Sequence, residues 1–197
     1  MLYSILRTIA RFIFFLLGLK SEGIHNLPES GPVIIAANHL SNWDPIVVAI
    51  ALKRRIHYMG KVELFKNPLM AALMKNLEVI PIKRGEANRA AIKVALVVLE
   101  ENQVLGIFPE GVRNKTGEEL KAQAGVAMIA IKSGAPVLPV ACIGTNRNLP
   151  LGWLKPLQVR VGPPIRLADN EGQKVNSAAL NQLSTRIMDE INLLLSK

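Results

Sequence analysis

The sequence is poor in cysteine and histidine, which limits the metal chemistry open to it. Its 197 residues include one cysteine, Cys142, inside the apolar run VLPVACIG. A single cysteine cannot form a disulfide framework or a cysteine-rich metal site, and a reducing, cytoplasmic compartment is expected. The histidines, His25, His39 and His57, share no close spacing, which argues against a zinc site. The sequence therefore predicts chemistry that uses no metal.

Aromatic residues are also scarce, at 5%, and acidic residues are outnumbered by basic ones, 15 against 24. The resulting net charge of +9 implies an anionic partner, which could be nucleic acid, anionic lipid or an acidic protein. The basic residues are scattered, few aromatics lie among them, and no nucleic-acid-binding motif occurs. An anionic membrane surface is therefore expected as a partner, and nucleic acid is not.

The first residues, MLYSILRTIARFIFFLLGLK, form no apolar run long enough to span a membrane. Arg7 and Arg11 lie on one polar stripe of a predicted helix, whereas Phe12 to Leu19 are wholly apolar but shorter than the roughly 20 residues that a span requires. This pattern predicts that residues 1–22 form an amphipathic helix lying in a membrane surface. The alternative is that the helix packs on the protein's own core.

Residues 23–197 are predicted to form a single α/β domain, with a largely parallel sheet flanked by helices. A loop is expected at SEGIHNLPESGP, which is rich in Gly, Pro and Ser. The predicted strands are Val33 to Ala37, Ile56 to Met59, Val79 to Ile82, Val104 to Phe108, Val137 to Ile143 and Leu157 to Val161. The predicted helices are Pro45 to Leu52, Pro68 to Lys75, Glu86 to Asn102, Gln123 to Ser133 and Ser177 to Leu195.

Ligands of such sheets bind outside the carboxyl ends of the strands, so the loop NHLSNWD after the first of these strands is a candidate site. Its His39 and Asp44 are five positions apart, a spacing that lets a turn bring the carboxylate back to the imidazole. A carboxylate on one ring nitrogen raises the basicity of the other, which a general base requires. Taken alone, the pair is better explained as a polar turn in which Asp44 caps the helix that begins at Pro45.

The loop FPEGVRN follows another predicted strand and carries Glu110, Gly111 and Arg113. Glycine allows close approach of the backbone to a ligand, and the arginine fork suits phosphate oxygens. Lys61 and Arg84 follow two further strands, so the three cations could converge on an anion. Each of them alone is better explained as a solvated surface residue.

Four motifs in order, NHLSNWD, VIPIKRG, FPEGVRN and VLPVACIGT, resemble those of the glycerolipid acyltransferase family, and most closely its bacterial members that act on 1-acyl-sn-glycerol-3-phosphate. The resemblance covers roughly residues 23 to 165. It implies that His39 is the catalytic base and Asp44 its partner. It further implies that Phe108 to Arg113 bind the acceptor's phosphate, with help from Lys61 and Arg84. Val112 stands where the family usually has threonine.

The resemblance implies transfer of a fatty acyl chain from a thioester to the free hydroxyl of 1-acyl-sn-glycerol-3-phosphate, giving phosphatidic acid at the cytoplasmic face of the cell membrane, in a peripheral or monotopic protein. Acyl-CoA or acyl carrier protein would be the donor, and no bound cofactor or metal is implied. One alternative keeps this chemistry on glycerol-3-phosphate or another lysolipid. A second alternative is a non-catalytic peripheral protein that binds anionic lipid.

Overall fold

The computed structural model describes residues 2–82, 89–114, 122–147, 157–167 and 176–197, which form one sheet with helices on both faces. The strands are β1 Leu19–Glu22, β2 Val33–Ala37, β3 Ile56–Lys61, β4 Ile80–Ile82, β5 Val104–Ile107, β6 Val137–Ile143 and β7 Leu157–Val161. The helices are α1 Leu2–Leu16, α2 Asp44–Ala51, α3 Pro68–Asn76, α4 Arg89–Glu100, α5 Ala124–Ser133 and α6 Ser177–Ser196. Short 3-10 turns lie at Ile24–Asn26 and Val62–Phe65.

The strand order is β1-β7-β6-β2-β5-β3-β4, and five neighbouring strands, from β6 to β4, run parallel. β7 is antiparallel to β6, and β1 is parallel to β7. The prediction of a largely parallel α/β sheet is confirmed. Since the parallel strands end at the same edge, the loops that follow β2, β3, β5 and β6 share one end of the domain.

The central strand β2 is buried on both faces, as its uninterrupted apolar sequence VIIAA predicts. Val33, Ile35 and Ala37 belong to the core under α1 and α2, whereas Ile34 and Ala36 belong to the core under α4, α5 and α6. The sheet therefore separates two apolar layers. α3 belongs to neither layer, because none of its residues is buried.

The six predicted strands and five predicted helices all appear; β2, β6 and β7 have the predicted ends, and the ends of the others are shifted. The helix expected from Glu86 is described from Arg89 to Glu100, and residues 86–88 lie outside the described part of the chain. The strand β1 was not predicted, because its sequence LKSE lacks apolar alternation. It forms by pairing with β7 at the edge of the sheet, where three of its four residues are exposed. The prediction that the N-terminal helix extends to residue 22 is wrong, since α1 ends at Leu16 and residues 19–22 form β1.

The helix α1 packs against the domain along one side and is exposed on the other. Phe14 is buried, with its ring 5.9 Å from that of Trp43. The Arg7 guanidinium donates hydrogen bonds to the carbonyls of Leu52 and Lys53 at the end of α2, whereas Arg11 is exposed. The expected shared stripe of Arg7 and Arg11 is therefore divided, since Arg7 binds the protein itself. No helix among the described residues is both long and apolar enough to cross a membrane.

We predict that Arg7→Ala lowers the free energy of unfolding by about 1 to 3 kcal/mol, because a charged donor to the α2 carbonyls is lost. Arg11→Ala is the matched control, since Arg11 lies one turn later and is exposed, and it should change stability by less than about 0.5 kcal/mol. Urea unfolding of both variants measures the difference. Equal stabilities would show that the Arg7 contacts contribute nothing.

Candidate active site

The site begins where β2 ends, in the loop that holds His39 and Asp44. The Nδ1 atom of His39 lies 2.9 Å from Oδ2 of Asp44, and both residues are buried. A carboxylate only accepts hydrogen bonds, so Nδ1 carries the proton and the lone pair is on Nε2. The imidazole is therefore held in the tautomer that a general base requires.

The same Asp44 oxygen also holds the loop backbone. Oδ2 accepts hydrogen bonds from the backbone N–H groups of Leu40 and Ser41, each at 2.6 Å. Asp44 is the first residue of α2, and no side chain caps that helix at Trp43. Asp44 thus stabilises the turn that precedes the helix and orients the imidazole. It does not cap α2, so the alternative reading, in which Asp44 only caps its own helix, is wrong.

Phe108, at the end of β5, fixes the plane of the His39 ring. The two rings stack with centroids 4.1 Å apart and planes 20° apart. On its other side, Phe108 stacks on Tyr58 of β3 with centroids 6.0 Å apart. A methyl group on Gly106 would lie 2.5 Å from the Tyr58 ring, so glycine is needed there for this stack to form.

Asn38, the residue before His39, joins β2 to β6 and was not singled out from the sequence. Its side-chain amide donates to the Cys142 carbonyl at 3.0 Å and accepts from the Cys142 N–H at 2.7 Å. These two hydrogen bonds fix the position at which the chain leaves β2, and hence the position of the His39 backbone. A polar residue directly after a wholly apolar strand is the signal that could have identified Asn38.

Cys142 itself is fully buried in β6. Burial raises the pKa of its thiol well above the usual range, and the negative charge of Asp44 adds to the effect. A thiol in this state is a poor nucleophile. Cys142 is therefore not a candidate nucleophile.

Glu110 lies inside the loop that follows β5, next to the histidine backbone. Its Oε1 accepts a long hydrogen bond of 3.4 Å from the His39 N–H, and Oε2 has no hydrogen-bond partner within the described residues. Burial raises the pKa of Glu110 to about 7, opposed by the His39 hydrogen bond and reinforced by the charge of Asp44. Glu110 therefore faces the core of the site, and its side chain is not on the surface.

Gly111 makes the turn of this loop with a φ of 70°, a conformation that glycine adopts without strain. Its N–H donates to the Phe108 carbonyl at 3.0 Å. This N–H is therefore engaged within the loop in this conformation. The loop ends at Asn114, whose N–H donates to the His39 carbonyl at 2.7 Å.

The structure shows no direct contact between the predicted phosphate-binding cations that it describes and the side chains of His39 and Asp44. Arg113 is exposed and lies one residue before the Asn114 contact with His39. Lys61 is exposed at the end of β3, where its Nζ atom lies 3.6 Å from a Glu63 oxygen. Arg84 lies outside the described residues. The structure thus brings together His39, Asp44, Glu110 and Gly111, and leaves Arg113 and Lys61 at the rim.

Within the described residues, no group of three His, Cys, Asp or Glu side chains is placed to hold a metal ion. The chemistry available at the site is that of an oriented imidazole base beside a buried carboxyl group. Such a base can take a proton from a substrate hydroxyl.

The family model described as "Acyltransferase" matches residues 18–143 of this chain. The chain is 30% identical over 185 residues to the 1-acyl-sn-glycerol-3-phosphate acyltransferase of Bacillus subtilis, covering 90% of this chain and 92% of the relative. It is 26% identical over 196 residues to the enzyme of the same name from Borreliella burgdorferi, covering 94% and 78%. The crystal structure of the 1-acyl-sn-glycerophosphate acyltransferase PlsC from Thermotoga maritima superposes with a TM-score of 0.73 at 25% identity, covering 97% of this chain and 78% of that one.

The matched region contains the catalytic-base candidate His39, its partner Asp44 and the loop of Glu110. It also contains β1 to β6 of the sheet. The family indicated by the four sequence motifs is the same as the family indicated by the match of the fold. The chain belongs to the acyltransferase family.

Proposed function

We propose that this acyltransferase moves a fatty acyl chain from an acyl thioester to the free hydroxyl of 1-acyl-sn-glycerol-3-phosphate, forming phosphatidic acid for phospholipid synthesis. The main structural support for this proposal is the buried His39–Asp44 pair, which lies at the carboxyl end of the parallel strands. Its Nδ1 and Oδ2 atoms are 2.9 Å apart. The acceptor follows from the relatives, which carry that substrate in their names.

His39 acts as the base in this proposal. Nε2 takes the proton of the acceptor hydroxyl as its oxygen attacks the thioester carbonyl carbon. Asp44 stabilises the resulting imidazolium through Nδ1. The C–S bond then breaks, and Nε2 returns the proton to the leaving thiolate. General base catalysis of this kind contributes about 10² to 10⁴ in rate, and no acyl-enzyme or bound cofactor takes part.

Asn38, Phe108 and Glu110 serve as positioning residues in the same proposal. Asn38 anchors the backbone to β6, Phe108 holds the ring plane, and Glu110 accepts from the His39 N–H. Glu110 was expected to bind the substrate directly, and here it is proposed to position His39 instead. Its carboxyl faces the His39 backbone, so its effect on substrate is indirect.

Arg113 and Lys61, together with Arg84, are proposed to bind the phosphate of the acceptor. Both described cations are exposed and follow strands that end at the same edge as β2. Gly111 allows close approach of the loop to the phosphate. The thioester donor is acyl-CoA or acyl carrier protein, and the net charge of +9 suits either anionic carrier.

The acceptor and product are lipids, so we propose that the protein works at the cytoplasmic face of the cell membrane, with residues 1–22 as its membrane-associating segment and residues 23–197 as the acyltransferase domain. The exposed apolar side of α1 supports this attachment. Its inward side, formed by Arg7 and Phe14, positions the helix on the domain.

Product analysis tests the acceptor. Purified protein is given 1-acyl-sn-glycerol-3-phosphate, glycerol-3-phosphate or other lysolipids, each with acyl-CoA or acyl carrier protein as donor. Mass spectrometry should detect phosphatidic acid as the main product. Preferred acylation of glycerol-3-phosphate would keep the chemistry and replace the acceptor, whereas no product from any pair would favour a non-catalytic lipid-binding protein.

We predict that His39→Ala lowers kcat by at least about 10²-fold, because proton transfer is lost. Asp44→Asn should lower it in the same direction through the wrong tautomer. His25→Ala is the control, since His25 is exposed in the turn at Ile24–Asn26. Thermal unfolding establishes that each variant is folded. A near-normal rate in folded His39→Ala protein would refute the mechanism.

We expect Arg113→Ala and Lys61→Ala to raise the acceptor KM by about tenfold or more, since a charged hydrogen bond is worth about 1.5 to 3 kcal/mol. The donor KM should change less. Lys132→Ala is the control, because Lys132 is an exposed cation in the last turn of α5, at the opposite end of the sheet. If donor and acceptor KM rise equally, these cations do not select the phosphate.

Glu110 should make stability fall as pH rises. The unfolded carboxyl loses its proton near pH 4.5 and the folded one near about 7, so the folded state binds more protons between these values. The contribution of Glu110 to stability is complete below the pKa of the unfolded state and is lost as the pH passes the pKa of the folded state. The free energy of unfolding should fall by about 3 kcal/mol between these limits. Glu110→Gln removes this titration and should gain stability relative to the wild type at higher pH.

Unfolding free energies of the wild type and Glu110→Gln, measured across this pH range, test the effect. The exposed carboxyl of Glu101 provides the control variant, Glu101→Gln, for which the difference from the wild type should stay flat. A flat difference for Glu110→Gln as well would mean that Glu110 is ionised in the folded protein throughout.

A further inference from the structure

The helix α3 carries an apolar surface that the described structure leaves partly exposed. The apolar patch is defined as Leu64, Leu69, Met70 and Leu73, from α3 and the 3-10 turn before it. Its most exposed member, Leu69, is 82% exposed. The patch lines an open depression of about 640 Å³, together with Glu63 and Asn67. A helix of the sequence PLMAALMKN with no buried residue is unusual, because helices of soluble domains bury their apolar side.

The apolar patch borders the active site. The turn at Val62–Phe65 follows β3 at the carboxyl end of the sheet, which is also the end that holds His39. A methyl group on Gly60 of β3 would lie 3.7 Å from Leu64. Two residues earlier on β3, Tyr58 stacks on Phe108, which stacks on His39. The strand β3 therefore carries both a ring of the aromatic stack on His39 and the residue next to Leu64 of the patch.

A second apolar surface lies on the other side of the active site, on α1. Phe12, Phe15 and Leu16 are each more than half exposed, and the contact between the tilted rings of Phe14 and Trp43 holds this end of α1 against the catalytic loop. The sheet order places β3 and β4 on one side of β2 and β6 and β7 on the other. The loop of His39 thus opens between two exposed apolar surfaces.

Charge around the apolar patch indicates what covers it. Residues 61–76 contain three lysines, Lys61, Lys66 and Lys75, all exposed, and a single acidic residue, Glu63. Apolar side chains bordered by lysines are typical of surfaces that insert into the headgroup region of anionic bilayers. A binding site for one acyl chain would need an enclosed apolar wall, whereas Leu69 projects outward.

We propose that the apolar patch is a second membrane-docking surface, which inserts into an anionic bilayer together with α1 and sets the His39 loop against the lipid. This inference extends the proposed function, because it concerns how the enzyme reaches a membrane-embedded acceptor. Two separated contacts fix the orientation of the domain, which one helix alone leaves free to rotate about its axis.

Flotation of the full-length protein with vesicles tests the contact. Leu69→Ser/Met70→Ser is compared with Val94→Ser/Val97→Ser, a matched pair of exposed apolar residues on α4, which packs on the face of the sheet opposite to α1 and α2. With vesicles of phosphatidylcholine and phosphatidylglycerol in equal amounts, the α3 variant should lose about tenfold or more in partition coefficient. The α4 variant should stay within about twofold. Equal losses, or none, would overturn the proposal.

Site-specific labelling gives a readout that does not depend on the strength of binding. The one native cysteine, Cys142, is buried, so a new surface cysteine can be labelled selectively. A polarity-sensitive fluorophore on Met70→Cys should shift to the blue with these vesicles and become shielded from aqueous iodide. The same label on Val94→Cys should show neither change. Full iodide access at both positions would refute docking through α3.

Activity separates this inference from the proposed function. In solution without vesicles, the α3 double variant should turn over short-chain acceptor and donor like the wild type. A raised donor KM there, with flotation unchanged, would overturn the proposal and assign the apolar patch to the donor's acyl chain. Absence of wild-type turnover on every acceptor would instead refute the proposed function, while flotation and labelling would still report on docking.

Discussion

One carboxylate oxygen, Oδ2 of Asp44, organises the catalytic loop. It accepts hydrogen bonds from the His39 ring and from two backbone N–H groups, all within a site that water scarcely reaches. Because a buried charge is costly unless it is paired and hydrogen-bonded, these three donors stabilise the carboxylate in its buried position. The oxygen that stabilises the turn therefore also sets the tautomer of the histidine.

The sheet supports that loop through contacts between strands that are distant in sequence. Asn38 ties the end of β2 to Cys142 on β6, and the stack of His39, Phe108 and Tyr58 extends the support across β5 to β3. Four parallel strands thus contribute to one imidazole. A rigid platform of this kind suits a reaction in which two substrates must be aligned on a single base.

The helix α1 shows how one element can serve two environments. Arg7 and Phe14 attach it to α2 and to the catalytic loop, whereas Phe12, Phe15 and Leu16 remain exposed. Under the proposed function, this division lets the helix contact lipid without leaving the domain. The position of the active site relative to the bilayer is then set by packing, and the apolar patch on α3 would fix the remaining freedom of rotation.

The parallel core and the His39–Asp44 pair were determined by the sequence, because both depend on short-range patterns. Apolar runs such as VIIAA specify buried strands, and a spacing of five lets a local turn bring acid and base together. Longer-range pairings were decided only by the tertiary structure. Asn38 and Cys142 are 104 positions apart, and the inward direction of Glu110 depends on the His39 backbone. The order of the strands in the sheet brings these partners together, and local sequence patterns do not specify that order.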